Sequence, residues 1–181
     1  MDFIRVLVSL CELLLTVVMA VLVVYMTLRA LIRANTDFDE DQEILRGNIA
    51  VGLLVASLLL AAANIMHQAF KPVADTIHLY LTSPAAQTTG HWKMAFYSLG
   101  NLLLAFGIVV VTLSFTLRLF GKLTRTKDTR PGKELQKGNL AVGIILSCVV
   151  LIVSLFVGGG VKSLSEALLP KPEIGMMRIM R

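Results

Sequence analysis

Four stretches of this chain are almost entirely apolar: 6–28, 48–70, 94–119 and 139–157. The first is interrupted by Ser9, Glu12 and two threonines, the second by Ser57 and the group Asn64, His67 and Gln68. The third has Asn101 and Arg118 as its strongly polar members, and the fourth carries only small Ser and Cys after Asn139. Each run reaches about 20 residues, enough for a helix to cross roughly 30 Å of hydrocarbon. Lipid offers no partner for a bare backbone N–H or C=O, so each crossing must be helical. The pattern predicts an all-α membrane protein with four transmembrane helices. The first run is too long for a signal peptide and lacks a small-residue cleavage site followed by a polar stretch, so it reads as a retained helix.

The second and fourth runs open on the same phrase. RGNIAVG spans 46–52 and KGNLAVG spans 137–143, 91 positions apart. A glutamate precedes each, Glu43 and Glu134. The helices before them end alike, on Thr27-Leu28-Arg29 and Thr116-Leu117-Arg118, 89 positions apart, so the slip lies in the loop. The unit is helix, short charged loop, G-N-x-A-V-G, helix, and it occurs twice. An even number of spans per unit makes the copies parallel, related by an axis along the membrane normal. The expected architecture is two parallel tandem helical-hairpin repeats. The first occupies 1–70 and the second 94–160, joined by an outer loop 71–93 with a short amphipathic helix near 73–81 and followed by an amphipathic tail 161–181.

The phrase admits two readings. In one, Gly47-Asn48 and Gly138-Asn139 mark helix starts, since Asn can cap free N–H groups and an acid suits a helix N-terminus. The stripes Asn48, Gly52, Ala56 and Asn139, Gly143, Ser147 then let another helix approach closely. In the other, Asn48 and Asn139 line a site or pore near the cytoplasmic face, as buried polar groups in membranes often do.

With these phrases in view, the chain resembles the domain of unknown function 350 family over roughly residues 5–160. The resemblance implies a small bacterial inner-membrane protein of four helices. The family brings no established activity, and hence no catalytic residues to carry over. The outer loop and the tail after Pro170 depart from its pattern and are candidate contacts for a protein partner.

Charge sets the orientation. Of 17 Lys and Arg, ten lie in the two loops within the hairpins or at their helix ends. The outer loop between the hairpins has Lys71 and Lys93. The positive-inside rule places the hairpin loops in the cytoplasm and both termini outside. The first of these loops is acidic (Asp37, Asp39, Glu40, Asp41) and the second basic, a surface for anionic lipids. The topology already explains a pI near 9.5, so no nucleic-acid partner is expected.

The remaining polar residues are weak leads. Glu12 sits two turns into the first helix, either snorkelling to the interface or serving protons or cations. Asn101 occupies the equivalent neighbourhood in the third helix. Asn64 and His67 share a helix side near the outer face. His67 with His78 or His91 lacks the spacing of a metal site. Cys11 and Cys148 read as small apolar fillers. There is no nucleophile elbow, phosphate loop or paired catalytic carboxylate, so no enzyme activity, cofactor or metal is expected. The leading expectation is a homo-oligomeric or scaffolding membrane protein, in which Gly52→Leu or Gly143→Leu would break assembly. The alternative is an oligomeric channel or carrier for a small ion or solute.

Overall fold

The computed structural model describes residues 2–32, 40–82, 91–123 and 131–169. The acidic loop around Asp37 and Asp39, the outer-loop stretch 83–90 and the final Met-rich tail lie outside these residues. So do the side chains of Glu12 and Cys11. Among the described residues every regular element is helical: α1 (Asp2–Met26), a π-helical continuation (Thr27–Ile32), α2 (Glu40–Leu45), α3 (Ile49–Thr82), α4 (His91–Leu123), α5 (Pro131–Gln136) and α6 (Leu140–Leu168). Helices α3, α4 and α6 contain segments of 31, 28 and 29 residues that are long and apolar enough to cross a membrane. Within the first helix the apolar segment Leu13–Arg29 is shorter. This is the composition of a multi-pass membrane protein.

Helix α3 lies at the centre. It packs along α6 in the most extensive pairing, and α1 and α4 rest on its other sides. The core brings Val51, Leu58 and Ile65 of α3 together with Val109 and Leu113 of α4 and Val150 of α6. Much of the outer surface is apolar, as lipid-facing helices require: Phe96, Val111, Phe115 and Leu155 are exposed.

Two helices run further than the sequence suggests. The segment from Lys71 was read as the start of a separate outer loop, but α3 continues without a break to Thr82, with Pro72 inside it. Proline removes one helical N–H and normally marks a boundary. Here Pro72, Val73 and Ala74 are all buried, and the Thr76 hydroxyl donates to the Pro72 carbonyl at 2.7 Å. Packing thus holds the turn across the proline. Likewise α6 passes through Gly158-Gly159-Gly160 and beyond the expected repeat end at 160 to Leu168. Gly158 is buried against Gln68 and Asn64, so its missing side chain is used for helix contact.

Candidate functional site

The repeated phrase folds into the same corner twice. Short helix α2 ends as Gly47 N–H donates to the Ile44 carbonyl (2.9 Å) and Asn48 N–H to the Glu43 carbonyl (3.0 Å). At the end of α5, Gly138 N–H donates to Leu135 (2.9 Å) and Asn139 N–H to Glu134 (3.0 Å). This is the paired bonding of a Schellman turn, which calls for a left-handed residue at its glycine position. Gly47 and Gly138 have φ of 78° and 80°. A Cβ at Gly47 would meet nothing within 4 Å, so Gly47→Ala isolates the conformational term. We expect it to cost about 1–2 kcal/mol, read as a lowered unfolding temperature in detergent. An unchanged melt would contradict the turn.

The asparagine then starts the next helix. Asn48 Oδ1 accepts from Val51 N–H at 3.3 Å, and Asn139 Oδ1 from Val142 N–H at 3.5 Å. The glutamate five residues back clamps the corner with both oxygens. Glu43 takes Arg46 on one oxygen (3.0 Å) and Asn48 Nδ2 on the other (3.0 Å). Glu134 takes Lys137 (2.8 Å) and Asn139 Nδ2 (3.3 Å) in the same way. The spacing E-x-x-[RK]-G-N is therefore one hydrogen-bonded device: acid, base, left-handed glycine, capping amide.

Hydrogen bonds from Lys137 and then Asn139 hold the Glu134 carboxyl below its ordinary pKa. A carboxyl depressed in the folded state stabilises above its unfolded pKa, and the gain is lost as pH falls through the folded value. Glu134→Gln should therefore lower the unfolding temperature at neutral pH and converge with the parent in strong acid. A gap of equal size at both pH values would refute the ionised clamp.

The two corners differ in what they reach. Asn48 Nδ2 also approaches the carbonyls of Leu135 (2.9 Å) and Gln136 (3.2 Å), bridging the first corner to the end of α5. Those carbonyls belong to the last turn of α5; that of Leu135 already accepts from Gly138 N–H, and Asn48 takes its second lone pair. Among the described residues, Asn139 makes no equivalent reach. Just beyond, a Cβ on Gly143 would stand 3.0 Å from both Cα and O of Ala50, so the backbones of α3 and α6 meet there. Gly52, the matching glycine, has nothing within 4 Å. Ser147 is buried, and its counterpart Ala56 is exposed.

A family model, Domain of Unknown Function (DUF350), matches residues 5–161. The chain belongs to that family. No curated protein and no solved structure matches it. The family region contains both corners and all of α3 and α4, and it stops within the last turns of α6.

The other polar candidates of this family member are dispersed. Asn64 Nδ2 donates to the Ser154 carbonyl across the α3–α6 contact at 3.1 Å. Buried Asn101 reaches the Ala69 carbonyl from α4 at 3.5 Å. His67 is exposed and lines a groove between α1 and α3. Cys148 is an exposed free thiol. Among the described residues no three His, Cys, Asp or Glu side chains form a group suited to a metal ion. The sequence did not reveal the acceptors Leu135 and Gln136. Only their place just before the second phrase hints at them.

Proposed function

We propose that this chain is a non-enzymatic integral protein of the bacterial inner membrane that self-assembles or anchors a membrane complex through small-residue helix seams. In this reading it has four spans in two parallel tandem hairpins, with the hairpin loops cytoplasmic and both termini outside. Helix α1, at 25 residues, is about 37 Å long, enough for the fourth span. The basic loop before α6 faces anionic lipid headgroups. The outer segment 71–93 and the tail 161–181 are where a protein partner would bind.

One observation carries the reading: the amides of Asn48, Asn64 and Asn101 each donate to a backbone carbonyl of another element. These bonds join elements within one chain, so they give the amides a packing role rather than a place in a solute path. A transport site would instead hold such amides towards an open path. The test is the native mass of the complex, gently extracted with its lipids. A homogeneous multiple of the 19.7 kDa chain is expected. A single chain with no partner would overturn the proposal.

A second reading, an oligomeric channel or carrier, is favoured by one feature. A cavity of about 250 Å³ at the α1–α2 end is lined by Arg29, Glu40 and Asp41 beside Tyr25 and Val55. Solute flux in proteoliposomes that changes with Asn48→Leu and Asn139→Leu would support it. Flux indifferent to both would remove these residues from the mechanism.

A further inference from the structure

The two halves carry matching residues but bury opposite faces. On α3, the face holding Ala50 and Ile65 receives Gly143 and Gly158 of α6, and Leu54 and Ala61 lie buried with it. The α6 residues 91 positions on are Ala141, Ile145, Ile152 and Phe156, and all are exposed. The contrast is largest at the end of the series: Ile65 is 0% exposed and Phe156 81%.

The reverse holds for the complementary face. Gly143, Ser147, Ser154 and Gly158 of α6 are buried, whereas their α3 counterparts are open: Gly52 is half-buried, and Ala56, Ala63 and His67 are exposed. The outer helices follow suit at an offset of 89. Ala105, Val109 and Leu113 of α4 are in the core, and Thr16, Ala20 and Val24 of α1 are exposed. Those three α1 residues, with Ala63 and His67, line an apolar groove of about 230 Å³.

The polar contact is also half complete. Asn48 bonds the carbonyls of Leu135 and Gln136. The matching acceptors for Asn139 are the carbonyls of Ile44 and Leu45. Leu135 is 3% exposed against 42% for its counterpart Ile44, while Gln136 and its counterpart Leu45 are both exposed.

We infer that these open faces are the two sides of one further copy of the internal contact, made between protomers. It rests on the self-assembly reading and gives it an interface. The α6 of one protomer docks on the α1–α3 face of the next. Ala141 lies against Gly52 as Ala50 lies against Gly143, Phe156 enters the groove, and Asn139 reaches the end of the neighbour's α2. The occupant is a second copy because each open position has a twin already buried by this same sequence. Lipid chains can cover apolar groups but offer no acceptor to an amide, and they gain little from a stripe of small residues. Joining unlike faces makes the interface head-to-tail, and such contacts form a ring where the rotation closes.

The test is cysteine crosslinking of the full chain in membranes, in a Cys11→Ser, Cys148→Ser background. One tagged copy carries Gly52→Cys and a differently tagged copy carries Ala141→Cys. An ideal Cβ on Gly143 is 3.1 Å from Ala50 Cβ, so the matching pair should lie within disulfide reach. Mild oxidation should give a mixed-tag dimer that is lost when either cysteine is omitted. A dimer from Gly52→Cys alone would mean like faces meet, overturning the head-to-tail contact. A complex of multiple chains without the mixed dimer would overturn this interface and leave self-assembly standing. A monomeric native mass without crosslinks would overturn both, with lipid covering the faces.

Discussion

Gly143→Leu is expected to destabilise the chain strongly, while Gly52→Leu leaves the fold of a single protomer intact. The two glycines occupy the same place in the same phrase, so sequence alone assigns them equal weight. Their surroundings do not. A Cβ on Gly143 meets the Cα and O of Ala50 at 3.0 Å, and these are backbone atoms where the first turns of α3 and α6 meet. A leucine there adds three more carbons, which fit only if α3 and α6 separate. Overpacking of a well-packed site costs about 1–3 kcal/mol, and a clash with backbone belongs at the upper end or beyond. Against a typical stability of about 5–15 kcal/mol, that is a large fraction. The helix pair also carries Asn64, whose bond to the Ser154 carbonyl crosses the contact and would be lost with it. Thermal unfolding in detergent, followed by helical circular dichroism, separates the variants. Gly143→Leu should melt far below the parent or fail to accumulate, and Gly52→Leu should melt with it. A parent-like melt for Gly143→Leu would mean that α3 and α6 do not meet at Ala50. Gly52→Leu is instead expected to reduce the native mass, because its open face is the one assigned to a neighbouring protomer.

This pair also shows what the sequence disclosed. Apolar run length disclosed the long helices, since crossing lipid leaves few other options for the backbone. The Gly-Asn corner was legible as a helix start because Asn caps free N–H groups, and the left-handed glycine came only with the structure. Helices α2 and α5 escaped notice because six residues are too few to show a helical period. Glu43 and Glu134 accordingly read as acids ahead of the N-terminus of the following helix, and each sits on a short helix of its own before the corner. The expected boundaries at 70 and 160 gave way to continuous helices, held by tertiary packing of Val73 and Gly158. Which copy of the phrase faces inward was not legible at all. Identical residues acquire different environments because only some of the matching faces find each other within one chain. The candidate site was therefore visible as a list of residues, but the acceptors of Asn48 were not.

Asn48→Asp should be nearly as damaging as Gly143→Leu, and pH should expose the reason. The substitution keeps the shape and leaves Oδ1 to cap Val51. It replaces the donating Nδ2 with an oxygen facing the Glu43 carboxylate (3.0 Å) and the carbonyls of Leu135 (2.9 Å) and Gln136 (3.2 Å). Every bond from that atom becomes a contact between acceptors. Leaving polar groups unsatisfied costs about 1–3 kcal/mol, more where charge is involved, so a loss of about 3 kcal/mol is expected. Asn139→Asp should cost a single protomer less, because Asn139 Nδ2 donates only to Glu134 among the described residues. The introduced carboxyl at 48 is surrounded by acceptors, which raises its folded-state pKa. A raised pKa means that the folded state is favoured at low pH and weakened as pH rises through the folded value. Acidification should therefore partly rescue Asn48→Asp, because the protonated carboxyl can again donate. The parent should move the other way as Glu134 loses its charge. Opposite slopes of unfolding temperature against pH would identify the donor hydrogen of Asn48, rather than its size, as what joins the first corner to the second. Parallel slopes would leave the bridge to Leu135 and Gln136 without energetic weight.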